Sequence, residues 1–394
     1  MERELTLKFP NNKCYKRISG LLYAKEGDFI VQEINSNGWF SELNKKKLNF
    51  PSETKKEFVS VFLVKKGIST FQAVSELSDF LGIKKEAICY HGLKDTFGIT
   101  SQEISLPTGV FLRKYNKLKE KYFENFFIKD AKFIDEPCKL RDIKGNRFVI
   151  TLREPEKDGF KKINQIPLEH IPNFYGYQRF GTRQNSHLIG RQLVKKHYSK
   201  ALKICCTYSR NESPKIKKAR MEILSNWGNW GRCINITKKV SELKNENKIF
   251  KQLIKDPQDC IKALNETGLT SFYVNSYSSF LFNIVLDRLI EKRKKISLLP
   301  VLGYTISLKN SAIKKEYARL MDKEKISLSD FFNEDHPELS FPGRYRAAFY
   351  TVEKLDYEKK RRDVLFSFVL PMGVYANLFL ERFIENKSGR FKLE

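Results

Sequence analysis

The chain has no Cys-x-x-Cys pair, and its seven cysteines (Cys14, Cys89, Cys138, Cys205, Cys206, Cys233 and Cys260) are odd in number. Neither a zinc site nor a disulfide framework is expected from that spacing, and the neighbours Cys205 and Cys206 read as free thiols. Histidine is scarce, five in 394 residues, with no paired spacing for a metal. No glycine-rich loop of the phosphate-cradling kind occurs, so no metal and no organic cofactor is expected. No uninterrupted apolar run approaches the ~18 residues of a membrane span. Met1-Glu-Arg-Glu-Leu-Thr-Leu-Lys8 lacks the apolar core of a signal peptide, and neither end carries a basic amphipathic anchor. These absences point to a soluble, cytoplasmic protein. Acid is the other shortage: 46 Asp and Glu against 73 Lys and Arg. The clustered carboxylates of a two-metal nucleic-acid hydrolase are missing.

What is present is a large core and a large positive charge. Apolar residues make up 41% of the chain, and the net charge is +27. Such an excess implies a polyanionic partner, because Lys and Arg neutralise phosphates and release counterions. Phe (31) and Tyr (17) are also abundant. Rings among basic residues suit splayed or single-stranded RNA, although most of these rings are expected in the core. The length suggests two or three domains, or one large domain with an insertion.

The organising stretch is Tyr90-His-Gly-Leu-Lys-Asp-Thr-Phe-Gly-Ile-Thr-Ser-Gln-Glu-Ile-Ser-Leu106. Ala87–Tyr90 ends one strand-like run, and Ile99–Leu106 begins another. Gly92 and Gly98 between them permit sharp turns and close approach of a ligand. Asp95 therefore sits on a loop between strands, beside Lys94. Either it is aimed at a substrate, or it caps a turn and pairs locally with Lys94; the stretch alone leaves both open.

Before this loop, residues 28–34 and 58–64 read as strands, the second buried on both faces. From Ser69 to Gly82 the period becomes helical, with Phe71, Val74, Leu77 and Leu81 on one stripe, Ser69 as cap and Gly82 as stop. After it, residues 112–133 read as a basic aromatic surface or an exposed connection. Lys144-Gly-Asn146 reads as a turn and Arg147–Arg153 as a strand with Phe148, Ile150 and Leu152 inward. Pro172-Asn-Phe-Tyr-Gly-Tyr-Gln-Arg-Phe-Gly181 packs four aromatics, amides and an arginine into ten residues. A helix is expected over 187–197, no sustained period over 195–218, a break at Trp227–Gly231 and a clear helix over Ser276–Ile290. Val364–Leu370 is strand-like, followed by a turn and a last helix ending near Ile384.

Taken together, four stretches resemble the TruD family of transfer-RNA pseudouridine synthases: His91-Gly-Leu-Lys-Asp95 with Ile99-Thr-Ser-Gln102, the 172–181 run, Ser276-Tyr-Ser-Ser-Phe-Leu-Phe-Asn283, and Leu370-Pro-Met-Gly-Val-Tyr-Ala376. Asp28-Phe-Ile-Val-Gln-Glu33 is similar to the family's N-terminal strand. The stretches occur in family order from about residue 18 to 384. The resemblance implies an α/β (α+β) fold: a mixed-sheet catalytic domain from 1–185 and 345–394, interrupted by a mostly helical insertion at 186–344, with a basic RNA cleft between them. It implies isomerisation of uridine to pseudouridine in transfer RNA, at or near position 13 of the D-arm, by one catalytic aspartate, Asp95, without cofactor. Lys94, Asn173, Tyr175, Gln178, Arg179 and Tyr375 are the RNA-binding residues that it implies. Asn173 would position Asp95 or its loop, and Tyr175 would stack on the target base.

Four positions depart from the family pattern. Tyr175 and Tyr375 stand where phenylalanine is usual, and Ser278 replaces a glutamine. Tyr23 occupies the place of the basic residue that usually pairs with the aspartate, which leaves Lys25 or another base to substitute. A monomer with transfer RNA as its only partner is expected. A non-catalytic RNA-binding protein is the alternative; it would keep the basic aromatic surface without needing Asp95.

Overall fold

The computed structural model of the chain describes residues 17–44, 48–52, 54–121, 123–139, 143–156, 163 and 166–387. The first elements are β1 (Ile18–Gly20), β2 (Phe29–Asn35), β3 (Phe58–Lys66), α1 (Thr70–Leu81), β4 (Cys89–Tyr90), β5 (Ile99–Pro107), α2 (Thr108–Glu120), β6 (Phe126–Ile134), β7 (Ile143–Leu152) and β8 (Ile171–Pro172). Helices then follow: α3 (Ser186–Val194), α4 (Tyr198–Thr207), α5 (Pro214–Ser225), α6 (Trp230–Lys238), α7 (Lys244–Lys255), α8 (Cys260–Asn265) and α9 (Thr270–Glu291). The chain ends with β9 (Leu298–Val301), α10 (Ser311–Glu324), β10 (Arg344–Ala347), β11 (Phe349–Tyr350), β12 (Leu355–Lys360), β13 (Asp363–Pro371), α11 (Ala376–Leu380) and β14 (Ile384–Asn386). This is a mixed α+β protein. Among the described residues, no helix is long and apolar enough to cross a membrane.

Two compact units divide the chain. Residues 17–171 with 350–387 form a sheet unit, and Pro172–Phe349 forms a helical unit. These divisions at 171/172 and 349/350 stand beside the boundaries at 185/186 and 344/345 expected from the resemblance. The run 172–185 groups with the helices.

The sheet unit is built on one mixed sheet with strand order β12-β13-β7-β2-β5-β3-β6, and β4 pairs β5 off that path. β2 and β5 are parallel; the other neighbours are antiparallel. Paired residues share a face, so one row can be followed across the sheet: Phe368, Phe148, Val31, Thr100, Lys65, Phe126. Every member is buried. Phe368, Phe148 and Val31 belong to a core cluster completed by Phe379 and Leu380 of α11. Phe126 belongs to a second cluster, in which Val74 and Leu77 of α1 and Phe111 of α2 pack on Val59, Val61 and Leu63. Thr100 and Lys65 form a polar interruption between the two cores.

Helix α1 is capped as expected: Ser69 Oγ accepts from Gln72 N (3.2 Å), and Gly82 closes the helix at φ 71°. Phe71 corrects the expected stripe. It is 59% exposed, with Lys85 Nζ over its ring, and Ala73 takes the inward place. Residues 112–133 contain the rest of α2 and most of β6; Lys117, Lys119 and Lys121 are exposed, while Leu118, Phe126 and Phe133 are buried. Lys144-Gly-Asn146 is not a turn. It lies inside β7, where the Leu370 carbonyl of β13 occupies the space a Cβ at Gly145 would need. A glycine can mark a close strand approach as well as a turn. Residues 195–218 contain α4 and the start of α5, whose period many lysines obscure. The last helix is short, and Ile384 begins β14 instead.

In the helical unit α3 packs on α9. Gly190 allows it: a Cβ there would overlap the Tyr273 carbonyl. Tyr277 of α9 is fully buried and donates to Glu324 Oε2 (2.9 Å), which also accepts from Arg191 Nε (2.5 Å).

Candidate active site

The Asp95 loop leaves β4 and enters β5 over the polar interruption in the sheet. Its backbone is fastened at several points. Gln102 Nε2 donates to the Gly92 carbonyl (2.9 Å), and Thr70 Oγ1, which donates to Gln102 Oε1 (2.8 Å), accepts from Lys94 N (3.1 Å). Lys65 Nζ donates to the carbonyls of Asp95 (2.5 Å), Lys94 (3.3 Å) and Ile68 (2.9 Å). The loop closes at Gly98, φ 115°, where a Cβ would collide with the Phe29 carbonyl. Gly92 has ordinary φ and open space around its Cα, so only Gly98 is demanded by the backbone.

Side chains beneath the loop form a connected network. Glu33 of β2, 1% exposed, receives Lys94 Nζ at Oε2 (2.7 Å), His91 Nδ1 at Oε1 (2.7 Å) and the Glu103 amide (3.1 Å). Lys94 Nζ also donates to Asn146 Oδ1 (2.8 Å), which faces Glu33 across the β2–β7 ladder. Burial pushes the Glu33 carboxyl up, but His91 and Lys94 outweigh it and hold the pKa below the usual carboxylate value. Lys94 is thus committed to Glu33, which removes the local Asp95–Lys94 pairing as the reason for the loop.

Among the described residues no other side chain hydrogen-bonds the Asp95 carboxylate, which takes a hydrogen bond from its own backbone amide. Burial raises its pKa, while the nearby charges of Lys65 and then Lys94 pull the other way. Tyr23 is the neighbour that the resemblance sets at the usual basic position. Its pKa is raised, by burial first and then by the negative charges of Asp95 and Glu381, so the phenol is neutral. Tyr23 also has φ 58°, an outlier for a bulky residue, and its ring meets Phe29 and Phe97. Lys25 is exposed and is not among the charges that act on Asp95. Lys65 is 1% exposed and lies close enough to Asp95 for the two charges to act on each other.

Sequence reasoning missed Lys65, Glu33 and Asn146. A signal for Lys65 was present. Val59, Val61 and Leu63 point into the core, and the period of two puts Lys65 on the same side. The scarcity of spaced ligands also hid one cluster. His91, Glu103 and Cys138 bring three possible metal-ligand atoms within 4.8 Å, although Ser60 Oγ already donates to Glu103. Cys14 lies outside the described residues; the described cysteines are free thiols, Cys205 and Cys206 included.

The remaining site residues fall in two places. Tyr375, half-buried, precedes the first turn of α11 in the sheet unit. Asn173, Tyr175, Gln178 and Arg179 lie in the helical unit. Asn173 is braced by its neighbours: Nδ2 donates to the Ala347 carbonyl (3.0 Å), and Oδ1 accepts from Arg346 Nη2 (2.5 Å). Tyr175 exchanges two bonds with Asn283, its amide donating (2.8 Å) and its carbonyl accepting (2.9 Å). Its ring is only 3% exposed. The Arg346 guanidinium lies 4.2 Å from the ring centroid, Phe282 meets it edge-on, and Arg344 Nη2 donates to its hydroxyl (3.1 Å). The open stacking face expected at Tyr175 is covered here. Arg179 donates to Ser279 Oγ (3.0 Å) and is half-buried, while Gln178 is exposed. Ser278 is fully buried in α9.

Comparison with known proteins identifies the family. Residues 13–299 and 287–383 match the family described as tRNA pseudouridine synthase D (TruD). A relative from Methanococcus maripaludis, named "Probable tRNA pseudouridine synthase D 1", is 27% identical over 91% of this chain and 97% of its own. A Saccharolobus solfataricus protein of the same kind is 28% identical over 96% and 95%. A solved structure from Methanosarcina mazei, described as "Putative tRNA pseudouridine synthase D (TruD)", superposes with TM-score 0.70 over 98% of both chains at 20% identity, which speaks for the fold alone. The α+β fold is therefore that of a known class of RNA-modifying enzyme. The chain belongs to the TruD family of pseudouridine synthases.

Proposed function

We propose that the chain isomerises uridine at position 13 of transfer RNA to pseudouridine, with Asp95 as its catalytic residue. The observation that carries the reading is the Asp95 loop. Its backbone is held by Lys65, Thr70 and Gln102 and its lysine is committed to Glu33, while among the described residues no other side chain hydrogen-bonds the aspartate carboxylate. A rigid support with one free reactive group is what positioned chemistry requires.

The reaction breaks the bond from uracil N1 to the ribose and joins the ribose to C5. It needs the base out of its stack. Asp95 acts as nucleophile or base beside the sugar and stabilises the electron-poor intermediate. The C5 proton then leaves, N1 gains one, and the product is an isomer of the substrate, with no redox step. Tyr23, a neutral phenol beside Asp95, carries no positive charge to that site.

In this reading residues 1–185 and 345–394 form the catalytic domain and 186–344 the insertion. Lys94, Asn173, Gln178, Arg179 and Tyr375 serve RNA binding. Tyr175 serves it indirectly, as the ring against which Arg346, Arg179 and Arg344 are held. The enzyme works as a cytoplasmic monomer on transfer RNA. The charge of +27 favours a phosphate-rich partner.

The test is Asp95→Asn, assayed by mass spectrometry of an unmodified transfer-RNA transcript, with RNA affinity measured alongside. Turnover should vanish while binding and melting temperature hold. An Asn variant that still forms pseudouridine removes Asp95 from its role; a wild-type protein that binds the transcript without modifying it favours the non-catalytic alternative.

A further inference from the structure

Lys65 stands out as a buried cation held by carbonyls rather than by a carboxylate contact. Among the described residues no carboxylate lies within ion-pair distance of its ammonium, and all its bonds go to the carbonyls of Ile68, Lys94 and Asp95. Its place in the sheet is one that an apolar side chain would fill, between Thr100 and Phe126 in a buried row. An ammonium there is costly to bury. The carbonyls recover part of that cost, and Asp95 is the negative charge whose attraction opposes it. Two of the three carbonyls belong to the Asp95 loop, and the third belongs to the turn after β3.

We infer that Lys65 is the positioning residue of the reaction: its ammonium clamps the backbone at Lys94 and Asp95 to the end of β3 and so holds the Asp95 carboxylate in place. This rests on the reading of Asp95 as the catalytic residue. Lys65 touches no substrate atom in this scheme and acts only through the loop. Its own proton is loosely held: burial, aided by Lys94 and opposed by Asp95, brings its pKa from 10.5 to about 8. The charged groups bearing on Lys65 are Asp95 and Lys94, and those bearing on Asp95 are Lys65 and Lys94. Glu381, pushed to about 7 by burial, acts on Tyr23 next to Asp95 and is the other acid of the neighbourhood.

Two consequences follow for the rate. Below the Lys65 pKa the clamp is intact, so wild-type kcat should decline as pH rises through about 8. Removing the cation removes a downward pull on the Asp95 pKa, so the acid limb of the profile should move to higher pH.

The experiment measures single-turnover kcat, transcript Kd and the pH profile for wild type, Lys65→Met and Lys65→Arg. Lys65→Met should lose on the order of 100-fold in kcat, the scale of a reacting group displaced by about 1 Å, with Kd nearly unchanged and the acid limb moved upward. Lys65→Arg, whose guanidinium stays charged, should retain more activity than Lys65→Met and lose the decline near pH 8. A folded Lys65→Met with wild-type kcat and an unmoved acid limb overturns the inference, as does a wild-type rate that is flat through pH 8. If Lys65→Met does not fold, the Arg variant and the wild-type profile still decide. Asp95→Asn separates the two levels. If Asp95→Asn is inactive and Lys65→Met is not, only the role of Lys65 falls; if Asp95→Asn is active, the reading of Asp95 falls with it.

Discussion

Lys65 of the sheet unit and Arg220 of the helical unit are both cations buried to within a few per cent of full coverage. Arg220 is answered by carboxylates. It grips Glu212 with Nε (2.8 Å) and Nη2 (2.9 Å), and its Nη1 reaches Glu246 (3.0 Å) and the Cys206 carbonyl (2.8 Å). Burial lowers its pKa, but the two glutamates outweigh it and raise the value above the ordinary one. Lys65 is answered by carbonyls and one neighbouring carboxylate, and burial wins, bringing its pKa to about 8. The first cation is paired as a structural ion network should be. The second is under-compensated, which is typical of charges kept for a task. Exposure alone does not distinguish the two; the anions around each one do.

That contrast is broken most forcefully at Arg220. Arg220→Met leaves Glu212 and Glu246 without their main cation, with Arg183 farther off at 3.9 and 3.7 Å. Removing one partner of a buried ion network costs roughly 3–5 kcal/mol. A fall of that size in unfolding free energy, read from a denaturant titration at neutral pH, is expected. A change within about 1 kcal/mol, the range of exposed pairs, would mean that Arg220 is no better anchored than a surface residue.

Lys65→Met should affect stability less and in a pH-dependent way. A pKa that falls from 10.5 to about 8 on folding disfavours the charged form by about 3 kcal/mol. Between those two pH values the unfolded chain binds more protons than the folded one, so wild-type stability rises with pH across that window. The Met variant has no such group and should lack that rise, while at neutral pH the relief of burying no charge offsets the three lost hydrogen bonds. Unfolding titrations on both sides of pH 8 test this. Equal slopes for the two proteins would show that Lys65 is not titrating where it is placed.

How much of this arrangement can be read from the chain depends on how local its cause is. The Asp95 loop, β2, β3, α1 and α9 are legible because a period, a cap or a motif lies within each stretch. Ser69 and Gly82 mark the ends of α1 without help from elsewhere. The failures are of another kind. Gly145 resembles a turn until the Leu370 carbonyl of a strand more than two hundred residues away comes against it. Phe71 is apolar at a helical spacing, yet the core is filled by Ala73 and Val74. Lys65 looks like the charged end of a buried strand, and only the row Val31–Thr100–Lys65 shows that it lies beneath the loop. The Asp95 half of the candidate site is written in its motif, whereas the cation beside it is produced by strand pairing. By the resemblance Tyr23 stands where a basic residue is expected, and the pairing of β3 with β5 places Lys65 where its charge acts on Asp95.

The smallest expected effect belongs to Tyr175, where the same question of pairing arises in a neutral group. Its hydroxyl receives one bond from Arg344, and its ring lies under Arg346 with Phe282 at its edge. Tyr175→Phe removes the hydroxyl and nothing of the ring. The lost bond is worth about 0.5–1.5 kcal/mol, and the cation–π contact with Arg346 remains. Arg344 is exposed, so water can replace the hydroxyl. The variant should therefore sit at the low end of that range in stability, with turnover and transcript affinity close to wild type. Tyr175→Leu is the contrast, because it takes the ring from beneath three guanidiniums. Its loss should appear first in RNA affinity and in the salt dependence of binding, as the arginines lose the surface that orders them. If Tyr175→Phe instead loses turnover at unchanged stability and affinity, the hydroxyl takes part in the chemistry, and Tyr175 belongs with Asp95 rather than with the arginines.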